Sequence, residues 1–427
     1  MIKAAKNKRW FKILIPITLL LLAVLTFLHH RRMLSWQSAA LYNESTLEML
    51  ESLPYLAWAP IPEADRHKSG VTKYDSDAAC AGYNLYHSGR QNMGRLIDMR
   101  GKTVRTWRYP FCDEWHVITL DTDGNLYFIE ENKRLGKLNW HSSPRWVSEG
   151  RYHHWIDVAQ NGRIYTLERK KRVLVYEGRE IAVLDDLVTI LSPTGEIEQR
   201  VSVFEAVKDL IPARHLDPAK RPPIESRKGR EILGDALELF HTNSVEYISR
   251  DVPDLCRKGD VLVSIKLLDL LAIIDVRNNR LLWSWGPGLI KKQHSALFLN
   301  NNHILLFDNG DKKRRHSRII ELDPLTRQIV WMYQGDPPQV FYSAAQGGCQ
   351  LLPNGNILTT NTNRGHVFEV TRDKRVVWGF FNPDTKPRPE KQDERAGIYR
   401  MTRIPARIYQ DIITKHRIKG PNSSSNQ

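Results

Sequence analysis

A repeated pattern of short apolar segments constrains the fold of this chain more than any other feature. From about residue 83 to residue 383, segments of alternating apolar residues are separated by turns rich in Gly, Asn and Asp. The central turns of the units are Asp123-Gly124-Asn125, Asn161-Gly162-Arg163, Gly259-Asp260, Asn301-Asn302-His303 and Asn354-Gly355-Asn356. Short strands separated by turn residues in this way predict an antiparallel, all-β protein.

Tryptophans mark the last strand of the repeat, at Trp107, Trp283, Trp331 and Trp378. Repeats of about 40 to 50 residues with four strands each are typical of β-propeller blades. Five complete units begin near residues 115, 153, 240, 293 and 345, and a half unit covers 83–109. Because residues 397–404 can complete that half unit, the sequence predicts a six-bladed β-propeller over 79–413, closed by pairing its two ends.

Two segments do not fit the repeat. Residues 205–236 are polar and basic and contain prolines, so they are interpreted as a helix-containing insertion on one face of the propeller. Residues 414–427 are interpreted as a disordered tail, because the run from Gly420 onward is too polar to order itself.

The N-terminus has the pattern of a membrane anchor. A basic segment, 1–12, precedes an almost unbroken apolar run from Ile13 to Leu28. A cleaved signal peptide shares these features and stays open as an alternative, but no small-residue cleavage site follows directly. We expect a cytoplasmic segment over 1–12, a single transmembrane helix over 13–32 and a connector over 33–78. The positive-inside rule then places the propeller in the periplasm, tethered to the bacterial inner membrane.

The charge balance favours an anionic ligand. Lys and Arg number 63 against 48 Asp and Glu, a net charge of +15 spread along the whole sequence. Export across a membrane argues against nucleic acid as the partner. Four cysteines, Cys80, Cys112, Cys256 and Cys349, lack the C-x-x-C spacing of a zinc ribbon, and three disulfide pairings are open to them.

Histidines recur at one position of the repeat. His116, His154 and His294 each precede the central turn residue of their unit by eight positions, whereas Gly347 holds this place in another unit. His241 also stands at the start of a first strand. Since the first strand of each blade lines the channel of a propeller, we expect these histidines to meet at one mouth of it. The alternative is that each one only bonds to the backbone of a neighbouring blade.

Such a cluster has three possible uses. No repeated Asp or Glu accompanies the histidines, so no metal site is predicted. Anion binding and nucleophilic attack by a neutral imidazole on a phosphoryl or sulfuryl centre both stay open, because periodicity does not rank them.

Several motifs resemble the bacterial arylsulfotransferase family over about residues 80–383. They are His153-His154-Trp155-Ile156-Asp157, His241-Thr242-Asn243-Ser244-Val245, Trp285-Gly286-Pro287-Gly288 with Gln293-His294, Phe307-Asp308-Asn309-Gly310, Ser317-Arg318 and Leu352-Pro353-Asn354-Gly355-Asn356. The resemblance implies a six-bladed propeller that moves a sulfuryl group between phenols without a nucleotide sulfate donor. It also implies a transiently sulfated histidine and no cofactor.

Carried over by motif, His294 is the nucleophile, and His154 and His241 orient or stabilise the transferred group. The active-site arginine of the family is replaced here by Lys266, which keeps the charge but lacks the bidentate fork of a guanidinium. Substrate binding is predicted for His116, Asn243, Gln293 and Arg318.

Two function hypotheses follow. The first is a nucleotide-independent sulfotransferase that uses an aryl sulfate as donor and a hydroxyl acceptor. The second is a non-catalytic envelope propeller that binds an anionic glycan or a protein partner, since Lys266 departs from the family pattern and the accompanying N-terminal β domain is replaced by the anchor and connector. A quinone-dependent dehydrogenase is disfavoured, because no calcium-ligating carboxylates accompany the tryptophan repeats.

Overall fold

The computed structural model describes residues 57–89, 91–217, 236–389 and 392–418. The predicted all-β class is confirmed, since strands make up most of the regular structure in these ranges. None of the helices they contain is both long and apolar enough to cross a membrane. The predicted segments 1–12 and 13–32 lie outside the described residues, as does most of the predicted insertion.

The strands of the N-terminal half are β1 (Trp58–Pro60), β2 (Gly70–Tyr74), β3 (Gly82–His87), β4 (Met93–Ile97), β5 (Thr103–Arg108), β6 (Val117–Leu120), β7 (Leu126–Glu130), β8 (Arg134–Leu138), β9 (Pro144–Glu149), β10 (Tyr152–Val158), β11 (Ile164–Tyr176), β12 (Arg179–Leu191), β13 (Ile197–Ser202) and β14 (Leu237–Glu238). A short helix, α1 (Val203–Val207), follows β13.

The strands of the C-terminal half are β15 (Thr242–Tyr247), β16 (Val261–Ile265), β17 (Leu270–Asp275), β18 (Arg280–Trp285), β19 (His294–Phe298), β20 (Ile304–Asp308), β21 (Arg318–Asp323), β22 (Gln328–Tyr333), β23 (Gly348–Leu351), β24 (Ile357–Asn361), β25 (His366–Val370), β26 (Val376–Phe381), β27 (Thr385–Lys386), β28 (Glu394–Ala396) and β29 (Thr402–Pro405). The chain then enters helix α2 (Ala406–Ile418).

These strands form six antiparallel meanders, each with a run of four strands. Their orders are β29-β3-β4-β5, β6-β7-β8-β9, β10-β11-β12-β13, β15-β16-β17-β18, β19-β20-β21-β22 and β23-β24-β25-β26. In the first meander Thr402 pairs with Leu85 and Ile404 with Tyr83, so a C-terminal strand completes the N-terminal half unit.

The innermost strands of successive meanders pack side by side. Contacts run from β6 to β10, β15, β19 and β23 in turn, and Gln350 of β23 donates to the carbonyl of Arg403 in β29 at 3.0 Å. Because of this packing, residues at one register of these strands come together at a common centre. The arrangement is propeller-like.

Tryptophans of four outermost strands connect their meander to the next. Their indole N–H groups donate to carbonyl oxygens at 2.9 to 3.0 Å, in the pairs Trp146 to Pro193, Trp283 to Pro324, Trp331 to Arg372 and Trp378 to Met99. The apolar core lies between the sheets, as where Leu262 and Ile273 of one meander pack with Leu306 and Ile320 of the next.

The structure differs from the predicted connector, 33–78, at its C-terminal end. Strand β2 pairs with β26 as a fifth strand, with Tyr74 opposite Trp378. Strand β1 pairs with β28, with Trp58 opposite Ala396. Strand β2 covers an edge that would otherwise present unpaired backbone groups. A five-residue segment does not reveal its pairing with a strand near the other end of the chain.

Helix α2 includes residues 414–418, which the sequence interpretation assigned to the tail. Its apolar residues Ile408, Tyr409 and Ile412 share one face and pack on the core between the first two meanders. The ring of Tyr409 stacks on that of Tyr83 with centroids 3.7 Å apart. Burial of this apolar face therefore stabilises the helix.

All four cysteines are buried, free thiols.

Candidate active site

The four histidines of the predicted cluster lie at the centre of the molecule. His154 lies in β10 and His294 begins β19, while His116 and His241 immediately precede β6 and β15. The rings of His116 and His154 meet edge to face with centroids 5.0 Å apart, and those of His154 and His241 at 4.8 Å. All four are at most 9% exposed. We call them the histidine cluster.

Backbone irregularities set the direction of two of these side chains, those of His154 and His241. His154 and His241 have φ angles of 60° and 49°, which non-glycine residues rarely adopt. Register shifts interrupt the pairing of β10 with β11 between His153 and Ile156, and that of β15 with β16 just after His241. Such bulges redirect side chains, and strain of this kind concentrates at functional sites.

A second set of side chains reaches the same centre from the second strand of five meanders. Its members, the second-strand positions, each lie seven residues after the positive-φ residue of the central turn: Glu131, Arg169, Lys266, Asn309 and Thr362. Sequence reasoning identified only Lys266. The constant spacing was the available signal, but the residue type changes from unit to unit, so no repeated residue drew attention to it.

Among the second-strand positions, the buried guanidinium of Arg169 connects two carboxylates. Arg169, whose side chain is 5% exposed, places Nη1 3.4 Å from Glu131 and Nη2 3.3 Å from Glu238. Glu238 Oε1 in turn lies 2.9 Å from Nδ1 of His241. Burial raises the pKa of Glu238, but the hydrogen bond with His241 and the charges of Arg169 and Lys266 outweigh it and hold that pKa well below its ordinary value. Glu238 is therefore an ionised partner that orients His241.

The hydrogen bonds of His294 define its tautomer. Nδ1 lies 2.9 Å from the carbonyl oxygen of Lys292 and 2.7 Å from Oδ1 of Asn309. The Asn309 amide is itself oriented, because its Nδ2 donates to the carbonyl of Ser343 at 2.8 Å. Both partners of Nδ1 are acceptors, so Nδ1 carries the proton and Nε2 carries the lone pair.

Three imidazoles of the cluster, those of His154, His241 and His294, have a lowered pKa and are neutral. Burial, reinforced by the charge of Lys266, holds the pKa of His294 well below its ordinary value. Burial likewise lowers the pKa of His154, and the closeness of two other ionisable imidazoles, His241 and His116, adds to the effect. Burial also lowers the pKa of His241, although Glu238 opposes the shift. A neutral imidazole can act as a nucleophile or as a base, whereas an imidazolium can do neither.

Neighbouring residues hold His154 in place. Its Nδ1 lies 2.8 Å from Nδ1 of His153, whose Nε2 lies 3.4 Å from Asp186. Tyr399 donates its hydroxyl to the carbonyl of His154 at 3.2 Å, and its ring lies 4.7 Å from that of His116. The sequence pattern does not identify Tyr399 and His153 as contacts of the cluster, because neither residue type recurs at its position in the other units.

Lys266 supplies a cation to the cluster. It begins the turn after β16 and is 8% exposed. Burial lowers its pKa to about 8; Glu238 opposes this shift, whereas Lys292 and Arg169 reinforce it. At neutral pH the ammonium is still largely charged, so Lys266 places a positive charge next to neutral imidazoles.

Asn243 and Gln293 brace the strands that carry the cluster. Asn243 Nδ2 donates to the carbonyl of Gln293 at 2.8 Å. The Gln293 amide donates to Ser264 Oγ and to the carbonyls of Ile265 and Leu270 at 3.0 to 3.2 Å. Both residues are fully buried, so the structure places these predicted substrate ligands in the framework behind His294.

Arg318 is likewise engaged within the protein. Its Nε lies 2.8 Å from Oδ2 of Asp308, and its Nη2 donates to the carbonyl of Leu289 at 2.8 Å. Asp308 is fully buried and also pairs with Arg314. The guanidinium of Arg318 therefore neutralises Asp308 at the end of β20. His116 differs from these three predicted ligands, since it lies within the cluster itself.

The comparison that decides the family is with a sequence model of arylsulfotransferases (ASST), which matches residues 116–382, more than half of the chain. The chain belongs to the arylsulfotransferase family. The matched region contains the whole histidine cluster together with Lys266, Arg169 and Glu238. A sulfotransferase-like function agrees with this membership, whereas no curated protein matches the chain.

Solved structures similar to this arylsulfotransferase-family chain share little sequence with it. A protein of unknown function from Bacteroides caccae is 14% identical, covers 70% of this chain and 93% of its own, and has a TM-score of 0.45. A streptogramin B lyase is 12% identical, with coverages of 77% and 88% and a TM-score of 0.43. The β-propeller domain of Cps50 (Swd1) from Myceliophteria thermophila is 10% identical, with coverages of 78% and 97% and a TM-score of 0.44.

Proposed function

We propose that this protein transfers a sulfuryl group from an aryl sulfate to an acceptor hydroxyl through a sulfated His294, without a nucleotide donor or a cofactor. One observation carries the proposal: two acceptors fix the proton of His294 on Nδ1, which leaves the Nε2 lone pair in a buried cluster close to the charge of Lys266. Membership of the arylsulfotransferase family supports the same chemistry.

In the first half-reaction, Nε2 of His294 attacks the sulfur of the aryl sulfate. The N–S bond forms as the bond from sulfur to the phenolic oxygen breaks, and the phenolate leaves with the electron pair. A neutral imidazole suits this attack because it carries no negative charge to repel the sulfate oxygens. Lys266 and the neighbouring imidazoles, including His154, stabilise the sulfuryl oxygens.

In the second half-reaction, the acceptor hydroxyl attacks the sulfur of the sulfated His294. His241 takes the hydroxyl proton on Nε2, because Glu238 holds its Nδ1–H in the orientation that a general base requires. The N–S bond breaks, and its electron pair returns to Nε2 of His294. The proton on His241 then passes to solvent or to the phenolate released in the next cycle.

The six meanders are, in this proposal, the blades of a six-bladed propeller closed by β29 and β3. The hydrogen bond from Trp378 of the last meander to Met99 of the first supports closure. The basic and apolar N-terminal sequence supports an inner-membrane anchor over 13–32, with the propeller in the periplasm. An enzyme held there would meet donors and acceptors outside the cytoplasm.

Initial-rate kinetics of the full-length protein test the proposal. With p-nitrophenyl sulfate as donor and phenol as acceptor, the proposal predicts acceptor-dependent phenolate release and parallel lines in double-reciprocal plots, as a covalent intermediate requires. His303→Asn, which alters a histidine paired with Glu321 outside the cluster, should behave as the wild type. Intersecting lines would contradict a sulfated intermediate. Binding of the aryl sulfate with no turnover would favour the non-catalytic envelope protein.

A further inference from the structure

Two histidines of the cluster lie close to a carboxylate that the repeat pattern does not predict. One potential ligand atom from each of His116, Glu131 and His154 lies within 4.8 Å of the other two. Glu131 Oε2 is 3.5 Å from Nδ1 of His116. Two imidazoles and one carboxylate form a common ligand set for zinc and for other divalent transition metals.

We propose that His116, Glu131 and His154 form a binding site for one divalent transition-metal cation of the zinc class. This site shares His154 with the transfer reaction proposed above and adds a metal that the reaction does not require. No carboxylate repeats beside the histidines in every unit, so the sequence pattern predicts no metal site. A single site needs only one carboxylate, and Glu131 supplies it from the second-strand position of the same meander as His116.

The neighbouring residues already orient these three ligands. Nδ1 of His154 lies 2.8 Å from Nδ1 of His153. Nη1 of Arg169 lies 3.4 Å from Oε1 of Glu131, and Oε2 of the same carboxylate faces Nδ1 of His116 at 3.5 Å. Partners of this kind fix the orientation of metal ligands and are part of most metal sites.

The spacing of the ligand atoms is compatible with a dication. Carboxylates match the cations nearby, because Arg169 lies between Glu131 and Glu238 and the charge of Lys266 also acts on Glu238. Zinc bonds of about 2.1 Å place tetrahedral ligands about 3.4 Å apart, so ligand atoms that lie within 4.8 Å of one another need to close by at most about 1.4 Å. Three protein ligands also leave a coordination position for water or for an anionic oxygen.

Cobalt titration of the full-length protein tests the site directly. After dialysis against a chelator, the wild type should bind one equivalent of Co²⁺ with a visible ligand-field spectrum, and Zn²⁺ should displace it. Glu131→Gln and His116→Asn should each weaken binding by at least about tenfold. His303→Asn is the matched control, because His303 and Glu321 form an imidazole and carboxylate pair outside the cluster, with Nδ1 and Oε1 2.7 Å apart.

His294→Asn separates this inference from the proposed reaction, since it should abolish transfer and leave cobalt binding unchanged. Failure of the wild type to bind Co²⁺ would overturn the site, and so would undiminished binding by both ligand variants. Because Glu131→Gln also loosens Arg169, circular dichroism should accompany each titration. If a variant does not fold, the wild-type stoichiometry and the His303→Asn control decide the question.

Discussion

Oδ1 of Asn309 lies 2.7 Å from Nδ1 of His294. The two residues belong to one meander, with His294 at the start of β19 and Asn309 directly after β20. Since Asn309 is oriented by its own donation to Ser343, its oxygen accepts a hydrogen bond from Nδ1–H of His294. The hairpin that carries both residues thereby places the lone pair of His294 on Nε2.

Asn309→Ala should lower kcat by about 10-fold to 100-fold, because it removes one of the two acceptors that hold the His294 proton on Nδ1 and leaves only the Lys292 carbonyl. KM for the aryl sulfate should change little, since Asn309 bonds within the protein. Asn309→Asp, which keeps an acceptor at Nδ1, should recover part of the loss. Steady-state kinetics of the two variants measure both effects. Equal losses in the two would mean that Asn309 serves the fold and not the tautomer.

The pH dependence of transfer should follow Lys266 on the alkaline side. Its pKa is lowered to about 8, so the cation is lost and kcat/KM falls as the pH rises through that value. On the acid side, activity should persist below pH 6.5, because the pKa of His294 lies well below that ordinary value. The measurement is kcat/KM for p-nitrophenyl sulfate across the pH range.

Lys266→Arg provides the check on this assignment, because a guanidinium stays protonated throughout the range. The variant should retain activity and lose the alkaline fall. If the fall persists unchanged in Lys266→Arg, another group is responsible for it.

The histidine cluster could be predicted from the sequence because one residue type recurs at one spacing. His116, His154 and His294 occupy the same position in their units. Equivalent positions of equivalent strands lie close together in the fold. The all-β class followed from the same regularity. Glu131 and Arg169 also share a register, but the side chain there differs in every unit, so only the position repeats and not the chemistry.

Other contributions could not be read from the repeat. Glu238 belongs to β14, which pairs with β12 outside the four-strand pattern. Strand β2 joins the sheet of β26, about 300 residues away in sequence. Arg318 belongs to a motif that resembles the family, but its guanidinium pairs with Asp308. Such pairings depend on tertiary packing, which local sequence patterns do not encode.

Glu238→Gln should slow the second half-reaction more than the first. The amide can still accept from Nδ1 of His241, but it lacks the charge that stabilises the imidazolium formed when His241 takes the acceptor proton. Stopped-flow measurements should show an intact burst of p-nitrophenolate followed by a steady state about tenfold to 100-fold slower. Equal loss of both phases would argue against a role for His241 as the base.

Arg318→Met should destabilise the protein without changing substrate affinity. It removes one of the two guanidiniums that pair with buried Asp308 and leaves Arg314 in place. We expect a loss of about 1–3 kcal/mol in the free energy of unfolding, measured in urea. KM for the aryl sulfate should match the wild type. A rise in KM with unchanged stability would instead return Arg318 to the substrate site.

Rapid quenching tests the central claim most directly. The full-length protein is mixed with p-nitrophenyl sulfate in the absence of acceptor, quenched at alkaline pH and digested for mass spectrometry. The account predicts that the peptide containing His294 gains the mass of one SO₃ group, with release of one equivalent of p-nitrophenolate, and that this gain disappears when phenol is added. Release of phenolate with no adduct, or an adduct on His154 or His241 instead, would contradict it.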